Sequence, residues 1–128
     1  MGAELYEFEA QENASLDTTR ILILRQSLGD QRCREIVEEV VFHMTDRLGL
    51  LQTAFEENDL EDVSILASRL AGLCEQIGLV VLARVARDLV QCVTVGDTNA
   101  ISAVGARLIR LGEDSLYSVM VYADQSAL

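Results

Sequence analysis

The chain has 128 residues, of which 50% are apolar, with no proline and a net charge of −11. This length suits one domain with one core, and a composition without proline favours helices over a sandwich or barrel, which needs many turns. The negative charge argues against binding to nucleic acid or to anionic membranes, because phosphate groups repel it. No apolar run approaches the roughly 20 residues that span a bilayer, and we expect a cytoplasmic location.

The N-terminal end of the chain is acidic. Four glutamates and one aspartate precede the first positive charge, Arg20; they are Glu4, Glu7, Glu9, Glu12 and Asp17. Such a charge run is typical of a solvated segment. We therefore predict an acidic, flexible tail over residues 1–16.

A short helix is predicted over residues 18–28. Asp17-Thr18-Thr19 is typical of a helix N-cap, and Gly29 would end the helix. The apolar run from Ile21 to Leu24 is also compatible with a buried strand, because periodicity does not distinguish the two in so short a run. Since a single strand would have no partner elsewhere in the chain, the helix is favoured.

Four longer helices follow, because apolar residues recur at three- and four-residue steps. The first runs from Asp30 to Asn58-Asp59, the second over about 60–77, the third from Gly78 to the turn Gly96-Asp97-Thr98, and the last over about 99–121. The residues expected to face the core are Cys33, Ile36, Val37, Val40, Met44, Leu48, Leu51, Phe55, Val63, Leu66, Leu70, Leu73, Ile77, Leu82, Val85, Leu89, Val93, Ile101, Val104, Leu108, Leu111 and Val119. The sequence thus predicts an all-α fold, an up-down-up-down four-helix bundle with a short additional N-terminal helix over 17–122, and a tail over 123–128.

One face of the predicted helix 60–77 carries small residues where a solvated helix usually has long polar ones. With Leu70 at the centre of the buried stripe, helical spacing places Ser68 and Gly72 each about 160° away from it. Ser64 and Ala71 are assigned to the same face. Small residues there would let another backbone approach closely, but the face could also pack against a helix of the same chain or of a second copy.

The run Ala67-Ser68-Arg69-Leu70-Ala71-Gly72, followed by Gly78, resembles the signature of histidine-containing phosphotransfer (HPt) domains. That signature reads Ala-His-x-Leu-Lys-Gly, with a further glycine six residues on. Ser68 stands where the family has its phosphorylated histidine, and Ala71 where it has a lysine. Weaker matches at Leu28-Gly29-Asp30, Val40-Val41-Phe42 and 54–59 extend the resemblance over roughly residues 20–120.

The resemblance implies a helical module of bacterial two-component signalling whose active helix receives a receiver domain. It implies a partner-binding face made of Ser64, Ser68, Arg69, Ala71, Gly72, Glu75 and Gly78. Arg69, Arg84 and Arg87 could pair with the acidic rim of a receiver domain.

Serine cannot do the work of the histidine. A neutral imidazole is a competent nucleophile near pH 7, whereas a hydroxyl needs an adjacent base and its phosphate ester does not pass the group onward. Ala71 also removes a positive charge near the transferred group. We therefore expect no catalytic residue and no enzyme, but a pseudo-phosphotransferase that binds a receiver domain or a histidine kinase and modulates a phosphorelay, with no metal and no cofactor.

Two other functions stay open. His43, the single histidine of the chain, could be a displaced phosphoacceptor, although no Lys-Gly frame follows it. The chain could instead be a helical dimerisation or interaction module unrelated to phosphorelay, and homodimerisation is open in either case. Three widely spaced cysteines, Cys33, Cys74 and Cys92, predict free, buried thiols rather than disulfides or metal ligands.

Overall fold

The computed structural model describes residues 16–126 and has five helices and no strand within that range. The helices are α1 (Thr18–Leu28), α2 (Asp30–Glu56), α3 (Leu60–Gln76), α4 (Val80–Val95) and α5 (Thr98–Ser126). The all-α prediction is confirmed, and the run from Ile21 to Leu24 is helical. The predicted acidic tail lies outside the described residues, except for Leu16, which packs against the core.

Helix α5 ends later than the sequence analysis predicted. It continues to Ser126 instead of ending near residue 121, so residues 123–126 are helix and not tail. The cause lies in the sequence, since neither glycine nor proline follows Gly112 to end the helix.

Aspartates cap three of the helices, and the N-cap predicted at Asp17 is one of them. The side chain of Asp17 accepts a hydrogen bond from the backbone N–H of Thr19 at 3.1 Å. Asp59 accepts one from Asp62 at 3.1 Å, and Asp97 accepts one from Ala100 at 3.1 Å. Each cap satisfies one backbone donor that the first helical turn leaves unpaired and is worth about 1 kcal/mol.

The four longer helices contact one another in a ring. Helix α2 packs against α3, α3 against α4, α4 against α5, and α5 returns to α2, while α1 packs on α2. The core that they enclose is mostly the one predicted, and its most deeply buried members include Met44, Leu70, Leu89 and Leu108. Ile36, Phe55, Leu73, Val93 and Val104 are only half-buried and lie at the edge of that core.

Two glycines of α5 allow close approach to α2. A Cβ atom on Gly112 would lie 2.9 Å from both δ carbons of Leu48, and one on Gly105 would lie 2.9 Å from Cε1 of Phe55. Glycine lowers the helix propensity of α5 by about 1 kcal/mol at each position. In return, the large side chains of α2 fit directly against the backbone of α5.

Of the five described helices, none combines the length and the apolar character that a membrane span needs.

Candidate functional site

Ser68 lies in the middle of α3 and faces away from the core. Ser68, Arg69 and Gly72 are exposed and Ser64 is half-buried, whereas Leu70 is completely buried. The apolar stripe of α3 holds this orientation, because Leu66, Leu70 and the residues one turn on must face the core. The predicted orientation of Ser68 and Gly72 is therefore correct.

A shallow depression borders the Ser68 side chain. Its lining comes from Ser64, Ile65, Ser68 and Arg69 of α3 and from Val90 of α4. Ile65 is an exposed large apolar residue and Val90 is half-buried, so the lining of the depression combines apolar and hydroxyl groups. Arg69 forms no ion pair with another residue of the range 16–126.

Gly72 has open space where its side chain would be. No heavy atom of the described chain lies within 4 Å of a Cβ built on this residue, apart from its own helix backbone and chain neighbours. Gly105 and Gly112 differ in this respect, since each of them accommodates a side chain of α2. A glycine within a helix destabilises it by about 0.5–1 kcal/mol relative to alanine, and at Gly72 no intramolecular contact offsets that loss.

Ala71 does not belong to this face, which corrects the sequence analysis. Its side chain is completely buried, with 0% exposure. Because α3 packs against α2 on one side and α4 on the other, the buried arc of α3 is wide enough to include the position 100° from Leu70. A single-stripe helix model underestimated that width.

Gly78 is also buried and is not part of an open face. Its φ of +83° lies in the left-handed region, and its carbonyl oxygen accepts a 2.8 Å hydrogen bond from the backbone N–H of Asp17. A Cβ on Gly78 would lie 3.1 Å from the carbonyl carbon of Asp17 and 3.2 Å from Cβ of Arg20. This glycine therefore anchors the beginning of α1, a contact that no local sequence pattern reveals.

Glu75 is exposed but already has a partner. The guanidinium of Arg87 donates to its carboxylate from Nε at 3.1 Å and also from Nη2, which links α3 to α4. Both side chains are about half exposed, so the pair contributes at most about 1 kcal/mol. Of the three arginines proposed as receiver contacts, Arg87 is thus engaged within the chain, whereas Arg69 and Arg84 are exposed without an ion pair in the described part.

His43, the alternative phosphoacceptor, lies on α2 and is exposed. Its ring contacts the ring of Phe42 edge-on, with the centroids 5.7 Å apart. Phe42 itself is 70% exposed, so the aromatic residue of the Val40-Val41-Phe42 match is not a core residue. Neither side chain belongs to the depression next to Ser68.

The three cysteines are free, as predicted, with Cys33 and Cys74 buried and Cys92 half-buried. Burial, reinforced by the nearby Glu75 charge and only partly offset by a backbone hydrogen bond, raises the pKa of Cys74 to about 12. Such a thiol is inert near neutral pH. Within residues 16–126, no three His, Cys, Asp or Glu side chains come together in a way that could hold a metal ion.

In comparisons with known proteins, no family model, no curated protein and no solved structure matches this chain significantly.

Proposed function

We propose that this chain is an HPt-like adaptor that binds a receiver domain, or the receiver-containing part of a histidine kinase, through the Ser68 face and does not accept a phosphoryl group. The Ser68 face is defined here as Ser64, Ile65, Ser68, Arg69 and Gly72. Its binding would modulate a two-component phosphorelay by occupying the surface that an active HPt protein uses.

The observation that carries this proposal is the open position at Gly72. The glycine weakens α3, is packed by nothing within the described chain, and lies one helical turn, about 6 Å, from Ser68. A residue without a side chain at an exposed position lets a partner backbone approach the helix closely. In the HPt signature, the glycine at this place has that role beside the phosphorylated histidine.

The helix arrangement also supports the proposal. Consecutive helices from α2 to α5 pack against each other and are joined by connections of only two or three residues, at 57–59, 77–79 and 96–97. Such short connections require neighbouring helices to run antiparallel. We infer an up-down-up-down four-helix bundle with α1 as the additional N-terminal helix, which is the architecture that the HPt resemblance implies.

The chemistry of position 68 explains why phosphotransfer is not part of the proposal. The Ser68 hydroxyl has no hydrogen-bond partner within residues 16–126, so no general base activates it. Ala71 is buried and brings no charge to the face. Binding can persist without these groups, because docking depends on shape and on the apolar residues Ile65 and Val90.

The proposal is tested by measuring binding to a panel of purified receiver domains from the same genome by calorimetry, with and without a beryllofluoride phosphate mimic. At least one receiver is expected to bind the wild-type chain, and Gly72→Arg and Ser68→Trp are expected to abolish that complex. Gly49→Arg is the matched control, because Gly49 is an exposed glycine of α2 that also has open space around it. The proposal would be contradicted if no receiver bound the wild-type chain, or if Gly72→Arg and Gly49→Arg lowered the affinity for the receiver equally.

A further inference from the structure

A second open surface lies between α2 and α5 and contains no residue of the Ser68 face. It is a groove of 630 Å³ whose apolar lining comes from Val37, Val41 and Phe42 of α2 and from Met120 of α5. Phe42 is 70% exposed and Met120 54% exposed. Exposing two large apolar side chains side by side is unfavourable unless another surface covers them.

The charged residues of this groove follow a pattern along α2. Four lining residues follow one another at four-residue steps, three of them charged and one aromatic: Arg34, Glu38, Phe42 and Asp46. Arg34 and Asp46 are therefore about 18 Å apart along the helix axis, with the apolar residues between them. Neither of these two side chains forms an ion pair with another described residue, whereas the neighbouring Arg32 pairs with Glu35.

We propose that this groove is a self-association surface, in which two copies of the chain pair their α2 helices antiparallel around a twofold axis near residue 40. Opposed positions then have numbers that add up to about 80. Arg34 of each copy consequently lies opposite Asp46 of the other, which gives two symmetric ion pairs. Between them, Phe42 of each copy lies opposite Glu38 of the other copy and packs against the apolar residues beside it, Val37 and Val41.

The charge pattern selects this arrangement over its alternatives. A parallel pairing would place Arg34, Glu38 and Asp46 each opposite its own counterpart, with three repulsive contacts. An antiparallel pairing centred on Phe42 would place Glu38 opposite Asp46, which is also repulsive. A register centred near residue 36 would pair Arg34 with Glu38, but it would place Phe42 and Asp46 opposite residues that do not line the groove. The register centred near residue 40 pairs the single cation of the groove with an anion and also sets residues 34–46 of one copy against the same residues of the other, which gives the closed, self-complementary interface that most homodimers use.

The net charge of −11 opposes the approach of two copies. An uncharged apolar contact would have to overcome this repulsion alone, whereas the two Arg34–Asp46 pairs reduce it locally. The interface therefore depends on both its apolar centre and its charged ends. This inference does not rest on the proposed function, because no residue of the Ser68 face takes part.

Sedimentation equilibrium of the full chain over a wide concentration range tests the proposal. We expect a monomer–dimer equilibrium whose Kd rises at least about tenfold in Phe42→Glu. Arg34→Asp and Asp46→Arg are each expected to raise Kd about fivefold or more, and the double variant is expected to return it close to the wild-type value. Arg84→Asp is the matched control. It makes the same charge change on α4, a helix that contributes no residue to the groove lining.

Circular dichroism and thermal melting of every variant show whether it is still folded, so that weaker dimerisation is not confused with unfolding. A wild-type chain that stays monomeric at millimolar concentration would overturn the proposal. A Kd that Phe42→Glu leaves unchanged, or a double variant no better than its single parents, would do so as well.

Discussion

The backbone N–H of Asp17 donates a 2.8 Å hydrogen bond to the carbonyl oxygen of Gly78, and this contact ties the beginning of α1 to the end of α3. The absence of a side chain on Gly78 makes it possible, because a Cβ there would press on the Asp17 backbone. Gly78 also has a φ of +83°, which other residues adopt at a loss of about 1–2 kcal/mol. The second glycine of the HPt-like signature thus has an architectural role in this chain.

Gly78→Ala is expected to lower the free energy of unfolding by about 2 kcal/mol or more, since it combines backbone strain with a steric clash. Gly96→Ala is the control, because Gly96 has a φ of +82° but nothing within 4 Å of its Cβ position. That variant should lose only the strain component, about 1 kcal/mol. Urea denaturation gives both values, and equal losses would show that the Asp17 contact contributes nothing.

Three of the helix-interior glycines, Gly49, Gly72 and Gly112, should respond to alanine according to the space around them. Gly72→Ala and Gly49→Ala are expected to raise the free energy of unfolding by about 0.5–1 kcal/mol each, because alanine favours the helix and meets no atom. Gly112→Ala is expected to lower it by about 1 kcal/mol, because the clash with Leu48 outweighs the gain in propensity. Thermal melting distinguishes the stabilising substitutions from the destabilising one. A lower stability of Gly72→Ala would mean that the fold itself requires this glycine.

Cys74 should be protected both from reaction and from ionisation in the folded state. Because burial raises its pKa from 9.0 to about 12, the folded state retains this proton at pH values where the unfolded state releases it. The contribution of Cys74 to stability is therefore present below pH 9 and is lost as pH rises from 9 towards 12. Denaturation at a series of pH values should show a steeper decline for the wild type than for Cys74→Ala.

Thiol labelling at pH 8 provides an independent measure of the same environment. The half-buried Cys92 is expected to react first, and Cys74 only at the rate of unfolding. The proposed environment of this thiol would be contradicted if Cys74 were labelled fast and if the free energy of unfolding changed with pH equally in the wild type and in Cys74→Ala.

Phosphotransfer should depend on the side chain at position 68. A bound receiver domain phosphorylated with acetyl phosphate is expected to leave the wild-type chain without acid-labile phosphate, and His43→Ala should behave identically. Ser68→His should gain label, because it presents an imidazole at the exposed position where the HPt signature has one. Ser102→His, an exposed serine position on α5, is the control and should remain unlabelled. Label on the wild type that disappears in His43→Ala would favour the alternative function.

Local sequence signals predicted most of the fold. Capping aspartates and helix-ending glycines define the connections, and the apolar spacing identifies 17 of the 26 buried apolar residues, because both operate within a few residues of the chain. The buried residues that were not in the predicted core are Ile21, Ala54, Ala67, Ala71, Cys74, Leu79, Ala83, Ala86 and Leu116. The positions that sequence reasoning missed depend on tertiary packing. Ala71 is buried because α3 has two neighbours, Gly78 is buried by Asp17, and Arg87 pairs with Glu75.

The candidate site was predicted in part for the same reason. The exposure of Ser68 and Gly72 follows from helical periodicity alone, whereas the surrounding depression needs Val90 from another helix. The groove beside Phe42 was not predicted at all. Helical spacing leaves Phe42 out of the predicted core, but the groove forms only because α5 lies next to α2 and contributes Met120, which no local pattern reveals.

The central claim is that a receiver domain docks on the Ser68 face. Nuclear magnetic resonance titration of the ¹⁵N-labelled chain with a receiver domain tests it most directly, because every backbone amide reports its own environment. The account predicts that the largest shift changes lie at Ser64, Ser68, Arg69 and Gly72 and at Val90 on the neighbouring helix. Changes centred instead on Phe42 and Met120, or no changes with any receiver domain of the panel, would contradict it.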